Sequence, residues 1–351
     1  MTPRQCWSAQ GDSVAVQGVQ AGLGAVRFAL PRNPLGRPPG RGYAPRVSSD
    51  AFADLARGLA GFSAALRSML NDHRLPAPGS PADTEAAGEP FAGEWGAAPS
   101  RDVFATVTLN TWSAVDHLAA TACVLQARTA IAAPYTLVRA ATEASTVAAY
   151  VTEPRIGPRE RLRRNMNRHL EGLGEDINLL TSFGTAAAAA RVTQHQDRIA
   201  QIGRSATVHG FQFTPMKGRT PAFIDTKQPS TMALMNACLS QTPGLGATYQ
   251  RHLSNVAHSQ LHGLSLFLLT GPDGTQANVT AGQLARSLPA GPIGACTLVE
   301  RLSWFTGWDL EPVEAPAIRM LNAWCRIAGG PQYPGPQRTT RPSAGLTRTT
   351  P

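Results

Sequence analysis

Hydrophobic positions at helical spacing run through most of the chain and predict a mainly α protein. The clearest example begins at Ser48 or Ser49 and ends near His73. Its apolar side chains recur at alternating three- and four-residue steps: Phe52, Leu55, Leu59, Phe62, Leu66 and Met69. This spacing is typical of a helix that packs one face on a bundle or on a second copy of the chain. We therefore expect an amphipathic helix over residues 48–73.

The stretch 101–183 predicts three consecutive helices, separated at Pro134 and at the pair Pro154 and Pro158, because proline favours the first turn of a helix and interrupts its interior. The first helix is apolar on nearly every side, which predicts burial on several sides. The third has an apolar face with His169 in its middle. Its arginines are expected on the opposite, exposed side, either as a solvated surface or as contacts to phosphates.

The remaining segments extend the same architecture. We expect an alanine-rich helix from Thr185 to Gly203, a short β-hairpin or irregular excursion over 204–229, and a helix from Ser230 to Leu239. Further helices are predicted over 246–269, 293–306 and 313–328, with a loop over 271–291. The pattern predicts a bundle of about seven or eight helices in residues 101–329. Segments rich in Pro and Gly predict a linker over 74–100 and disordered ends over 1–47 and 330–351.

Four polar side chains fall on otherwise apolar helices and form the candidate site. Asp116 lies in the first central helix, Arg139 and Glu143 are one turn apart in the second, and His258 lies on the polar face of the helix predicted over 246–269. A buried carboxylate requires a partner, so we expect these groups to converge in a polar seam inside the bundle. The alternative is structural, with Asp116 paired to a neighbouring helix and Arg139–Glu143 an exposed ion pair.

The net charge of +9 by itself suggests nucleic acid as a partner. The distribution of this charge along the chain weakens that suggestion. Residues 1–47 hold six arginines and one acidic residue, and residues 330–351 hold three arginines and no acidic residue. The middle of the chain is therefore near neutral, at about +1. Charge confined to the ends is a weak argument for specific RNA binding.

Cysteine and histidine spacing limits the remaining chemistry. The five cysteines (Cys6, Cys123, Cys238, Cys296, Cys325) form no C-x-x-C pair, which favours a reducing, cytoplasmic compartment over a disulfide framework. No apolar run is long enough to predict a membrane span. His258 and His262 stand one turn apart, as metal-binding pairs on helices do. However, no Asp or Glu lies nearby in the sequence, so no metal and no cofactor are predicted.

Two sequence features carry a resemblance to known families. The run Arg139-Ala-x-x-Glu143, the arginine-rich helix after it and the run Ser254-Asn-Val-Ala-His258-Ser resemble a helical family common in actinobacteria. That family is distantly similar to the HEPN-type bundles of abortive-infection and toxin systems. HEPN ribonucleases carry an R-x4-6-H motif, and Arg164 with His169 fits R-x4-H.

The sequence leaves three functions open. The first is a non-enzymatic regulatory or interaction module that self-associates through its helical seams as a homodimer. The second, implied by the resemblance, is a metal-independent HEPN-type ribonuclease whose catalytic pair is Arg164 with His169 or Arg139 with His258. The third is a metal-dependent hydrolase that uses His258 and His262.

Overall fold

A computed structural model describes residues 51–330, apart from residues 92, 94, 97, 129, 240–244 and 272–273. The helices are α1 (Ala51–Asp72), α2 (Pro81–Gly88), α3 (Pro99–Ala127), α4 (Ala133–Val151), α5 (Pro158–Thr181), α6 (Ala186–Val208), α7 (Thr231–Cys238), α8 (Leu245–Ala257), α9 (Leu261–Leu264), α10 (Ala281–Ser287), α11 (Ala290–Thr306) and α12 (Glu311–Ala328). Two antiparallel hairpins pair β1 (Phe213–Thr214) with β2 (Phe223–Ile224) and β3 (Leu268–Gly271) with β4 (Gly274–Ala277). This confirms the predicted mainly α bundle with a small hairpin. The predicted ends, residues 1–47 and all but the first residue of 330–351, lie outside the described part.

The core forms where α1, α3, α4, α11 and α12 pack together. The predicted seam of α1 is buried against α3 and α12 of the same chain, with Leu55, Leu59, Phe62 and Leu66 fully shielded from solvent. Gly58 allows a close approach, because a side chain there would meet the Met320 backbone at 3.1 Å. Of the two partners that the pattern left open for this helix, the bundle is therefore the observed one.

The segment predicted as a linker over 74–100 is partly folded, which corrects that prediction. Ser80 accepts a hydrogen bond from the Asp83 amide and Pro81 occupies the first turn of α2, so a short helix begins there. Trp95 is 1% exposed and its indole N–H donates to the Ile202 carbonyl at 3.0 Å. The Pro and Gly content of residues 74–100 suggested a flexible linker, but the capped helix α2 and the buried Trp95 ring attach this segment to the bundle.

Two helix ends differ from the pattern. α6 continues past Gly203 to Val208. Gly203 does not end the helix; it makes room for the Phe213 ring, which would lie 2.7 Å from a Cβ at this position. The helix predicted over 246–269 ends at Ala257, where Ser259 adopts a left-handed conformation (φ 53°) and α9 folds back on α8. The loop predicted over 271–291 also contains β4 and α10.

Gly246 lies where α8 approaches the backbone of α7 closely, which supports a stability prediction. A Cβ at Gly246 would lie 2.5 Å from the Asn236 amide nitrogen of α7, and backbone atoms cannot move aside cheaply. We expect Gly246→Ala to lower the free energy of unfolding by about 1–3 kcal/mol, measured by urea denaturation. Gly172→Ala is the matched control, since no atom lies within 4 Å of a Cβ there, and it should stabilise α5 by about 0.5–1 kcal/mol. Equal effects of the two substitutions would contradict the close contact.

Candidate functional site

Three of the four predicted site residues come together between α4 and the end of α8. The Nε of Arg139 donates to a Glu143 carboxylate oxygen at 2.8 Å. The Nη1 of the same guanidinium lies 3.1 Å from Nε2 of His258, which is 119 residues away in the chain. Arg139 is therefore the centre of a cluster whose other members are a carboxylate and an imidazole. We call Arg139, Glu143 and His258 the Arg–Glu–His cluster.

Local structure explains this convergence. Arg139 and Glu143 share one face of α4 because they are four residues apart. His258 follows the last residue of α8, where its amide still donates to the Ser254 carbonyl at 2.9 Å and the turn at Ser259 reverses the chain. Tyr135 packs edge-on against His252 and Phe267, with ring centroids 5.5 and 5.0 Å away. These contacts hold α8 against the first turns of α4.

The cluster is open to solvent on one side. The side chains of Arg139 and Glu143 are 22% and 33% exposed, and His258 is exposed. A guanidinium can only donate hydrogen bonds, so in this contact Nε2 of His258 is the acceptor. The arrangement places an imidazole, which can serve as a base once Nε2 is released, beside a cation that can bind an oxyanion.

Asp116 lies outside the cluster, which corrects the predicted four-residue seam. It sits on the outer side of α3, where its side chain is 66% exposed and bonds to Arg67 of α1 at 2.7 Å. The apolar neighbours that suggested burial are themselves on this outer side, since Leu109 is 68% exposed and Cys123 is also exposed. The structural alternative, a carboxylate paired with a neighbouring helix, describes Asp116.

The R-x4-H pair is not assembled. Arg164 donates to the Tyr150 carbonyl and to the carboxylates of Glu153 and Glu160, all within 2.8 Å. His169 is exposed rather than in the apolar core. Five residues turn a helix through about 140°, so these side chains leave α5 in different directions. His169 does not occupy the interior position that its apolar neighbours suggested.

The two histidines predicted as a pair on one helix belong to different elements. His258 follows α8 whereas His262 belongs to α9, and the left-handed Ser259 lies between them. The backbone of His262 is described but its side chain is not. Among the described side chains, no group of three or more His, Cys, Asp or Glu residues is placed to hold a metal ion.

Two of the five arginines of α5 are buried, contrary to the predicted exposed face. Arg161 is 1% exposed and Arg163 8% exposed. Arg163 binds Glu160 and the Thr226 carbonyl, and Arg159 binds the His209 and Gly210 carbonyls. Arg159 and Arg163 therefore pair with backbone carbonyls of other segments, and the spacing of residues within α5 does not indicate such partners. These arginines are thus committed to holding the fold together.

A second polar concavity, which the sequence analysis missed, lies between α5 and α6. It encloses about 610 Å³ and is lined by Asp176, Arg191, Gln194, His195, Asp197, Arg198, Gln201 and Arg204. The sequence signal for this concavity is the spacing of Arg191, His195 and Arg198, which places them on one face of α6.

No family model, curated protein or solved structure matches this chain. No helix in the described ranges combines the length and apolar character that crossing a bilayer requires.

Proposed function

We propose that the protein is a metal-independent ribonuclease of HEPN type and that the Arg–Glu–His cluster is its active site. The observation that supports this most directly is the 3.1 Å contact between Arg139 and His258 at a solvent-accessible position. The resemblance of the two runs that contain these residues points the same way. A cytoplasmic location belongs to the same proposal and is supported by the four described cysteines, which are free.

The proposed chemistry uses the three side chains of the cluster. Arg139 turns from Nε2 of His258 to the phosphoryl oxygens of the substrate, and the freed Nε2 accepts the proton of a ribose 2′-hydroxyl while the 2′ oxygen attacks the adjacent phosphorus. The bond from phosphorus to the 5′ oxygen breaks, that oxygen takes a proton from water, and the hydroxide so formed removes the proton that His258 had accepted. The products are a 2′,3′-cyclic phosphate and a 5′-hydroxyl. Arg139, oriented by Glu143, stabilises the charge that develops on the phosphoryl oxygens.

The proposal predicts RNA cleavage that needs no metal and depends on the cluster. In EDTA, the purified protein should cleave single-stranded RNA, and His258→Ala or Arg139→Ala should lower the rate about 10²–10⁴-fold, because each removes a group that acts on the reacting phosphate. Gel electrophoresis of labelled RNA measures the rate, and the cyclic phosphate end identifies the mechanism.

His169→Ala is the matched control, since it removes an exposed histidine outside the cluster. It should leave cleavage unchanged, and all variants should keep the wild-type thermal midpoint to within a few degrees. Cleavage that survives both cluster substitutions, or a wild-type protein that leaves RNA intact, would contradict the ribonuclease proposal.

The second candidate function is a non-enzymatic regulatory or interaction module. It is supported by large apolar side chains that are left exposed at the turn between α5 and α6, where Leu179 is 57% and Phe183 58% exposed. A wild-type protein without cleavage activity would favour this function.

A further inference from the structure

Few residues are buried in the half of the α5 and α6 pair that lies next to the turn joining the two helices. We call residues 168–204 the α5–α6 hairpin. Between Ile177 and Ile199 a single residue, Ala188, is buried. Two helices that pack only on each other cannot shield their apolar surfaces, so such a hairpin normally has a further layer on it.

The tip of this hairpin is apolar. Leu179 and Phe183 are one turn apart, and they are two of the five exposed large hydrophobic residues in the described part of the chain. The first turns of α6 add four exposed alanines, Ala186, Ala187, Ala189 and Ala190. A contiguous apolar surface on a soluble helical pair is typical of an interaction site.

Charge divides the two helices of the hairpin. The outer half of α5 carries Glu171, Glu175 and Asp176 against Arg168 alone, whereas α6 carries Arg191, Arg198 and Arg204 against Asp197 alone. These arginines line the 610 Å³ concavity between the helices, where His195 lies 3.9 Å from Asp176. The hairpin therefore has an acidic edge and a basic edge.

We infer that the α5–α6 hairpin is the contact surface for a second copy of this chain. In a two-fold dimer the same patch meets itself, so the acidic α5 of one copy lies against the basic α6 of the other. The four helices then form a bundle that covers Leu179 and Phe183. A nucleic acid or an anionic lipid surface fits less well, because the acidic edge would repel phosphate. This inference does not depend on the ribonuclease proposal.

The test is sedimentation equilibrium of the full chain over a range of concentrations. The wild type should form a dimer, and the double substitution Leu179→Asp with Phe183→Asp should raise the dissociation constant at least 10-fold. Both sites are exposed in the single chain, so folding should survive, as circular dichroism will show. Leu109→Asp, on α3 and 68% exposed, is the matched control and should leave the dissociation constant unchanged.

Charge reversal tests the proposed edges directly. One variant carries Glu171→Arg and Glu175→Arg, so both of its helices are basic, and a second carries Arg191→Glu and Arg198→Glu, so both are acidic. Each alone should be monomeric, and an equimolar mixture should form a heterodimer. A monomeric wild type, a dimer that resists the Leu179 and Phe183 changes, or a mixture that stays monomeric would overturn the inference. The RNA cleavage assay reports separately on the Arg–Glu–His cluster.

Discussion

Replacing Arg161 by Met is expected to lower the free energy of unfolding by about 3–5 kcal/mol, because the change breaks a buried ion pair and leaves its partner uncompensated. The Arg161 side chain is 1% exposed and the Glu85 side chain 9%. The two groups are 3.1 Å apart and join α5 to α2. Burial opposes the charged form of each, raising the pKa of Glu85 and lowering that of Arg161, and their mutual attraction offsets part of this cost.

Arg161 also donates hydrogen bonds to backbone carbonyls at the end of α4 and in the turn after it. Its Nη1 donates to the Val151 carbonyl at 2.8 Å, and its Nη2 donates to the Ile156 carbonyl at 3.0 Å. The guanidinium carbon lies 4.8 Å from the centre of the Phe305 ring. Loss of the side chain therefore leaves the Glu85 carboxylate and the two carbonyls buried without the hydrogen bonds that Arg161 supplies, and each such group costs free energy.

Urea denaturation of three variants separates these contributions. Arg161→Met should be the least stable, and Glu85→Gln should lose less because the amide still accepts from Arg161. The double variant Arg161→Met with Glu85→Leu should recover only part of the loss, since the carbonyls stay unpaired. Arg155→Met, at an exposed position in the preceding turn, is the control and should change stability by less than about 0.5 kcal/mol. A similar loss in Arg155→Met would contradict a specific role for Arg161.

Periodicity predicted the long helices well because their buried faces are regular. The seam of α1 and the face of α3 that contains Val107 and Leu118 are both buried as expected. Periodicity did not predict the burial of Arg161 and Arg163 on α5. An arginine that contacts a loop carbonyl and one that contacts water can occupy the same position on a helical wheel. The partner of Arg161 is 76 residues away in a segment of linker-like composition, so no local pattern indicates the contact.

The candidate site was predictable in part. Arg139 and Glu143 are four residues apart, so the sequence alone indicates that they share a helix face. His258 was predicted on the polar face of the helix that includes α8. Asp116 was misplaced because α3 is apolar on both sides, so its sequence does not show which side faces the core. His258 and His262 do not share a helix for a backbone reason: Ser259 in a left-handed conformation follows the end of α8, and such a conformation is uncommon for serine.

The second large effect is a pH-dependent loss of stability at Glu300. Burial raises the pKa of this carboxyl to about 7 from 4.5, and the neighbouring Arg301 offsets this only partly, because its Nη1 donates to the Ala149 carbonyl instead. Between pH 4.5 and 7 the folded protein holds a proton that the unfolded chain has lost. The free energy of unfolding therefore falls as pH rises through this window, by ~3 kcal/mol at most, and the cost is fully present above about pH 8.

Glu300→Gln removes the titrating group and keeps the shape of the side chain. At pH 4.5 the variant and the wild type should unfold at similar urea concentrations, whereas at pH 8 the variant should be more stable by up to ~3 kcal/mol. Glu311→Gln, at an exposed site on α12, is the control and should follow the wild type at both pH values. Burial, with the Glu300 charge as a second cause, raises the pKa of the Cys296 thiol to about 12, so that group stays neutral throughout and does not obscure the comparison. A stability difference that is equal at pH 4.5 and pH 8 would show that the effect of the substitution is steric, and the assignment of the titration to Glu300 would then be wrong.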